Sequence, residues 1–202
     1  MTDPKDVLQI LHLIHAGLAS GLLSKEEVIE WADKIITKED HPDIFFIDLA
    51  LSSSKSSSEI LHYFNEYLNF ENAVIQGRPL LAMLYKRFSS RQFTLEETVV
   101  KLFRLKFEAI FTKREESYIY SIDNDFDCAK DNVYGTLEAV NADVDKFLSF
   151  YKDYSLDSFE QWQNLDLKVE SKLDEEIDFK QEQESVLEMK SENVNKPWWK
   201  FW

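Results

Sequence analysis

Three aspartates at alternate positions come closest to a metal-binding pattern in this sequence. Asp123, Asp125 and Asp127 have the spacing that opens a calcium loop, which places oxygen ligands at its first, third and fifth positions. The same loop needs a glycine and then a bidentate glutamate, and Cys128 and Tyr134 stand at those two points. We therefore interpret the segment as a solvated acidic loop or helix start, and we predict no metal and no other cofactor.

The histidines are the other candidates for metal or acid–base chemistry. His12 and His15 lie three residues apart on a predicted helix, and His62 could approach them from a later one. Zinc sites of this kind add cysteine or acidic ligands at matching spacing, and none accompanies the pair. We predict histidines at a helix interface. Residues 41–43, His-Pro-Asp, are interpreted as a turn between helices, with Pro42 at the first position of the next helix.

Motifs that carry catalysis in other proteins are missing from the chain. It has no glycine-rich phosphate loop, no Gly-x-Ser-x-Gly elbow and no His-Glu-x-x-His helix. Cys128 is the only cysteine, so an internal disulfide is excluded, and no neighbouring residue would activate its thiol. We predict no catalytic residues. An enzyme whose carboxylate site has no sequence signature is the alternative left open.

The composition favours long helices joined by short connections. The 202 residues are 44% apolar and include 15 Phe, enough for a sizeable core, but only four Gly and four Pro. We predict an all-α fold, an irregular bundle of about seven or eight helices arranged as successive antiparallel pairs. No apolar run reaches the ~20 residues of a membrane span and no signal peptide precedes the first helix, so we expect a cytoplasmic protein.

Two capping boxes mark the clearest helix starts. Ser24 with Glu27, and Thr94 with Glu97, each precede apolar residues at one-turn spacing. The apolar run that begins after Thr94 continues as far as Phe111. The sequence therefore predicts a long helix at each of these two places.

Three further segments have less regular patterns. Residues 44–51 are apolar nearly all round, which predicts a buried helix. Ser58 is predicted to cap the helix that follows a serine-rich turn. Residues 118–134 combine a strand-like composition with several aspartates, and we interpret them as helical.

The predicted packed domain comprises residues 1–165, and residues 166–202 form a flexible acidic tail rich in Glu, Lys, Gln and Ser. The tail ends in KPWWKFW, and aromatic side chains there would be costly to leave in water. They could dock on the domain itself, on a partner or at a membrane surface. We favour the first two, because a segment with only two lysines at the end of an acidic tail would bind a membrane weakly. The predicted docking residues are Trp198, Trp199, Phe201 and Trp202.

The net charge of −15 argues against binding to nucleic acid or to an anionic membrane and favours a basic protein partner. A basic block at residues 86–114 is interpreted as the solvent-exposed face of helices. Its side chains could pair with the acidic segments on either side. The most acidic segment follows it. The predicted contact residues for a basic partner are Asp123, Asp125, Asp127, Asp131, Glu138, Asp143 and Asp145.

The segment around residues 18–51 carries a specific resemblance. It reads Gly-Leu-Leu-Ser at 21–24, Glu27-Val28, Trp-Ala-Asp at 31–33 and Ile-Asp-Leu-Ala-Leu at 47–51. This segment resembles small acidic bacterial proteins that accompany polymorphic toxins as immunity proteins. The resemblance implies a cytoplasmic helical protein that binds a cognate toxin and occludes its active site.

Two hypotheses about function therefore stand beside each other. In the first, the chain is an immunity protein that covers a basic toxin surface with an acidic one, associating quickly through electrostatic steering. In the second, the helical domain is a scaffold or adaptor whose tail presents its aromatic end to a partner. The sequence does not fix the oligomeric state.

Overall fold

The structure, a computed structural model, describes residues 4–68 and 73–175, apart from the side chains of Lys5 and Asp6. The regular elements in this part are helices, with one isolated bridge between Gln76 and Ile110, which confirms the predicted all-α class. Short 3-10 turns lie at Pro4–Val7, Ser52–Ser54 and Leu156–Gln161. The first eight helices are α1 (Leu8–Ala19), α2 (Lys25–Lys38), α3 (Ile44–Ala50), α4 (Ser57–Tyr67), α5 (Gly77–Ser89), α6 (Leu95–Glu108), α7 (Lys113–Lys130) and α8 (Leu137–Ser149).

The chain divides into two compact units, Met1–Trp162 and Gln163–Trp202. Helices α1–α8 belong to the first unit. In the second, residues 163–175 are helical (α9), with Leu165, Val169 and Leu173 on one face, although the sequence placed the start of the tail at residue 166. Residues 176–202 lie outside the described residues, and so do the predicted docking residues Trp198, Trp199, Phe201 and Trp202.

The first unit contains two successive sets of four helices, which we call the first module (α1–α4) and the second module (α5–α8). In the second module, α5 packs on α6, α6 on α7, α7 on α8 and α8 back on α5, so the four helices close a ring. Helix α1 contacts both α4 and α5. The core of the first module is built mainly from Leu11, Ile14, Val28, Trp31, Phe45, Phe46, Leu49, Ile60 and Phe64. That of the second includes Leu80, Leu84, Val99, Leu102, Leu105, Ile119, Ile122, Val144, Phe147 and Tyr151.

The turns that join α1 to α2, α5 to α6 and α7 to α8 share one backbone design. Each begins with a residue at positive φ, namely Gly21 (72°), Arg91 (59°) and Asn132 (55°). The amide of the next residue then donates back to a carbonyl five residues earlier, over 2.7 Å at Leu22, 2.9 Å at Gln92 and 2.8 Å at Val133. These are Schellman-type helix ends. The same type of hairpin turn thus occurs once in the first module and twice in the second.

Side-chain caps fix where the helices begin. The capping boxes at Ser24 and Thr94 form as predicted. A further box at Thr112 with Glu115 opens α7. Helix α4 is capped by Ser56 and not by Ser58, because Glu59 stands three residues after Ser56 and can close the box. Similarly, Asp43 caps α3 through a bond of 2.8 Å from the amide of Phe45, which places Pro42 one residue before the cap.

Two predicted apolar segments differ from expectation. In α3, Phe45, Phe46 and Leu49 are buried, but Ile44 and Leu51 at its ends are exposed. Helix α6 stops at Glu108, because the amide of Ile110 bonds to the carbonyl of Ile75 at 2.8 Å and the Thr112 box then starts a new helix. Residues 118–134 are helical as far as Lys130, as predicted, and then form the α7–α8 turn. No helix in the described part of the chain is long and apolar enough to cross a membrane.

Candidate functional site

The alternate aspartates that resembled a calcium loop lie on a continuous helix. Successive residues of a helix are rotated by about 100°, so Asp125 points away from Asp123 and Asp127. Asp127 is one turn beyond Asp123 and shares its side of α7. The three carboxylates therefore do not converge on one point. Within residues 4–68 and 73–175 no group of three potential metal ligands comes together.

The α7–α8 turn and the start of α8 form an exposed acidic surface of the second module. We call residues 131–139 the hairpin end, and every one of them is exposed. It carries Asp131 and Glu138 and has no basic residue. Three large apolar side chains lie among these acids, Val133 (69% exposed), Tyr134 (52%) and Leu137 (42%). Acidic groups around exposed apolar and aromatic side chains are typical of a protein-binding surface.

Hydrogen bonds hold Tyr134 in place at the hairpin end. Its hydroxyl accepts from Nδ2 of Asn124 at 2.7 Å and donates to Oδ1 of Asp125 at 3.1 Å. Hydrogen bonding to Cys128, together with that to Asp125, raises the pKa of Tyr134 to about 12. The phenol is therefore neutral at physiological pH. Asp125 acts here as a positioning group for the aromatic ring.

The remaining predicted contact residues lie along α8. Asp143 and Asp145 are both exposed and stand on either side of the buried Val144. Since they are two residues apart on a helix, their side chains point to different sides. The seven predicted acids are thus all exposed or half-buried, but they form several neighbouring groups and not a single cluster.

Helix α6 presents an apolar stripe on the side opposite its buried face. Thr98, Val99, Leu102 and Leu105 face the inside of the module. On the opposite side Val100 and Phe107 are exposed and Phe103 is half-buried. The rings of Phe103 and Phe107 meet edge to face, with centroids 5.4 Å apart. The one-turn spacing of residues 100, 103 and 107 was the available signal, but it does not reveal which of two apolar faces is buried.

Part of the basic block supports the fold. Nζ of Lys86 lies 2.7 Å from Glu27 Oε1, and the Arg87 guanidinium bonds to the other oxygen of the same carboxylate. Nε of Arg87 also donates to the carbonyl of Leu22 at 3.0 Å. Burial alone would raise the pKa of Glu27, but the bonds from Lys86 and from the Ser24 amide and the two basic charges lower it. The predicted pairing of basic and acidic segments is therefore present at the α1–α2 turn.

Glu115 is the most buried acid in the described residues. Its carboxylate accepts from Nε of Arg78 at 2.7 Å, the Tyr151 hydroxyl at 3.0 Å and the Thr112 amide at 2.8 Å. Burial, followed by the charge of Glu115, raises the pKa of Tyr151 well above its usual range. Each carboxylate oxygen already has donors, which suits a group that joins α5, α7 and the residues just after α8.

A cleft of about 480 Å³ opens between α2, α5 and residues 152–157. Trp31, Met83 and Tyr85 are among its lining residues. Lys34, also in the lining, pairs with Asp157 at 3.0 Å, and Lys86 is engaged by Glu27. The charges around the cleft are thus partly neutralised by one another. His12 and His15 lie elsewhere, on α1, where His15 contacts the ring of Phe64.

Comparison with family models, with curated proteins and with solved structures finds no match for this chain. The resemblance to immunity proteins at residues 18–51 stays a prediction. In the structure those residues form the end of α1, all of α2 and all of α3, where they serve as caps and core. The exposed acidic and apolar side chains of the hairpin end lie instead in the second module.

Proposed function

We propose that this chain is a non-catalytic binding protein of the immunity type, which neutralises a basic toxin domain by covering it with the acidic surface of the second module. The observation that carries the proposal is the hairpin end, where Asp131 and Glu138 surround the exposed side chains of Val133, Tyr134 and Leu137. Acidic groups would steer a basic partner, and the apolar side chains would supply affinity at short range.

The repeated hairpins supply an internal precedent for this binding. At the α1–α2 turn, Arg87 and Lys86 from the next hairpin bind Glu27. At the α5–α6 turn, Nζ of Lys130 lies 2.6 Å from Glu96, the second residue after the cap Thr94. Glu138 stands at the same place after Thr136, and no described residue pairs with it. Glu27 is the third residue after its cap, Ser24, so the direct precedent for Glu138 is the pair of Lys130 with Glu96, and a basic side chain of a partner would form the same pair with Glu138.

The test is co-production in bacterial cells with the toxin domain of a secreted protein encoded beside this one. Wild type should restore growth. Asp131→Lys with Glu138→Lys should weaken binding about 10- to 100-fold, because two attractive contacts become repulsive. The matched control, Asp33→Lys with Asp40→Lys, makes the same change in net charge at exposed sites of the first module and should protect as wild type does.

Equal protection by the two double variants would contradict this assignment of the surface. Failure of wild type to protect against any such neighbouring toxin domain would contradict the immunity function itself. Both double variants should show the same far-ultraviolet circular dichroism as wild type, since all four positions are exposed.

The adaptor hypothesis is favoured by the aromatic end of the sequence. Changing Trp198, Trp199, Phe201 and Trp202 together to Ser keeps the chain length and removes the apolar groups. An immunity protein that acts through the second module should still neutralise its toxin after this change. Loss of neutralisation with an intact fold would favour the adaptor.

A further inference from the structure

Helices α6 and α7 pack against each other, and we call the strip between their outward-facing sides the groove between α6 and α7. On α6 the wall consists of Glu96, Val100, Phe103 and Phe107, which follow one another at one-turn spacing. On α7 the wall consists of Glu116, Tyr120, Asp123, Asp127 and Lys130, with the same spacing. Lys130 Nζ lies 2.6 Å from Glu96 at one end. At the other end Lys106 Nζ lies 5.7 Å from the Tyr120 ring centre and 6.0 Å from that of Phe107.

Large apolar side chains along the groove are unusually exposed. Phe107 is 74% exposed and Tyr120 61%, and Ile110, just beyond the end of α6, is 62% exposed. A fully buried side chain of this size stabilises a structure by about 1.5–3 kcal/mol relative to an exposed one. Leaving several of them in water within one strip is typical of a surface that a partner covers.

The two walls differ in chemistry. The α6 wall is apolar over Val100, Phe103 and Phe107, whereas the facing stretch of α7 carries the carboxylates of Asp123 and Asp127. Partial burial and then the charge of Asp127 raise the pKa of Asp123. The base at the end of this stretch, Lys130, has its Nζ on Glu96. A cation placed beside the two aspartates would therefore relieve their mutual repulsion.

We propose that the groove between α6 and α7 binds a basic amphipathic helix of the partner protein. The apolar residues of this partner helix pack on Phe103, Phe107 and Tyr120. The Lys or Arg side chains of the helix pair with Asp123 and Asp127. The inference rests on the proposed function, because the helix belongs to the basic partner. The α6 wall from Glu96 to Phe107 is about 17 Å long, the length of three helical turns. Docking of an amphipathic helix in an apolar groove is a recurrent mode of recognition.

The test uses a fluorescent peptide of about 18 residues, roughly five turns, with Leu at heptad spacing and Lys at the flanking positions. One comparison peptide has Glu in place of Lys, and another has the Lys peptide's composition in scrambled order. Fluorescence anisotropy with the full chain at about 0.15 M salt should show saturable binding of the Lys peptide, at least ~10-fold tighter than either comparison peptide. The scrambled peptide measures non-specific attraction to the acidic chain.

Substitutions locate the binding. Phe103→Ser with Phe107→Ser should weaken Lys-peptide binding at least ~10-fold, as should Asp123→Asn with Asp127→Asn. The matched controls should leave it unchanged. Ile44→Ser with Leu51→Ser removes exposed apolar side chains from the first module, and Asp33→Asn with Asp40→Asn removes exposed charges there.

Several outcomes would overturn the proposal. The Lys peptide could bind no more tightly than the scrambled one, or the groove variants could bind as wild type does. Sedimentation could show that wild type is a dimer and the Phe103/Phe107 variant a monomer, which would assign the groove to a second copy. Full toxin neutralisation by the Phe103/Phe107 variant would also show that the groove does not contact the toxin. Wild type could instead bind the Lys peptide but fail to neutralise the toxin. That result would contradict the proposed function, but it would still support binding of a basic amphipathic helix in the groove.

Discussion

At the scale of single residues, Glu27 shows how one side chain serves both local and distant structure. It closes the capping box with Ser24, which the sequence predicted because both residues lie within one turn. It also binds Lys86 and Arg87, about sixty residues further along the chain. No local pattern contains that pairing, because it depends on how α5 packs near the α1–α2 turn. The cap was predictable and the ion pairs were not.

The ion pairs of Glu27 should appear as a pH-dependent contribution to stability. Gln can still close a capping box, so Glu27→Gln removes the charge and keeps the cap. We expect it to lower the free energy of unfolding by about 1–2 kcal/mol near pH 7, since Arg87 is left largely buried beside a neutral group. The pKa of Glu27 is lowered from 4.5 on folding. Its contribution is thus complete above about pH 4.5 and disappears as the pH falls through the folded pKa.

The measurement is urea unfolding of wild type and variant near pH 7 and again below about pH 4. The matched control is Glu97→Gln, at the equivalent position of the α6 box, where the charge of Lys101 acts on the carboxylate but no basic side chain of the described residues is hydrogen-bonded to it. This control should lose clearly less stability near pH 7. A deficit for Glu27→Gln that does not shrink in acid would show that the charge is not its cause.

At the scale of elements, the helices and their types followed from sequence, but the choice of buried face did not. Helix α6 has apolar residues at 99, 102 and 105 and a second set at 100, 103 and 107. Both sets have helical spacing, so the periodicity predicted a long helix without distinguishing its buried side from its exposed side. The position of the hairpin end was not predictable for another reason. The α7–α8 turn lies within residues 118–134, whose sequence pattern is mixed.

The repeated turn predicts opposite effects for two substitutions. Gly21 and Arg91 occupy equivalent positions, at φ of 72° and 59°. Gly21→Ala should destabilise by about 1 kcal/mol, because a Cβ is disfavoured at positive φ. Arg91→Gly should be neutral or stabilise by up to ~1 kcal/mol, since it relieves the same strain while making the unfolded chain more flexible.

Thermal and urea unfolding of the two variants would check this pair. At Gly21 an added Cβ would have its nearest neighbour, Nζ of Lys101, at 3.7 Å, so crowding does not complicate the comparison. A loss of stability in Arg91→Gly as large as that in Gly21→Ala would mean that the two turns are not equivalent in energy.

At the scale of the whole molecule, some charged side chains pair with one another and others remain at the surface. Bases at 86, 87 and 130 are held by Glu27 and Glu96. The acids at Asp131 and Glu138 face solvent on the hairpin end, and those at Asp123 and Asp127 border the α6–α7 groove. These acids add to a net charge of −15 for the whole chain, which would attract a basic partner from a distance.

Electrostatic steering should make association with the toxin domain depend steeply on salt. The association rate constant of wild type should fall about tenfold or more between about 0.05 and 0.5 M salt. Asp123→Lys with Asp127→Lys should slow association further at low salt, and Asp33→Lys with Asp40→Lys should slow it less. Stopped-flow fluorescence would measure these rates. Equal association rates for wild type and the Asp123/Asp127 variant would show that these two aspartates do not steer the toxin domain.

Hydroxyl-radical footprinting of the complex would show whether the toxin domain covers the second module. Phe107, Tyr120 and Tyr134 are exposed on the groove and the hairpin end, and Tyr67 is exposed on the first module. When the toxin domain binds, the oxidation of Phe107, Tyr120 and Tyr134 should fall severalfold, while that of Tyr67 stays the same. Protection of Tyr67 with unchanged oxidation of the other three would contradict the account.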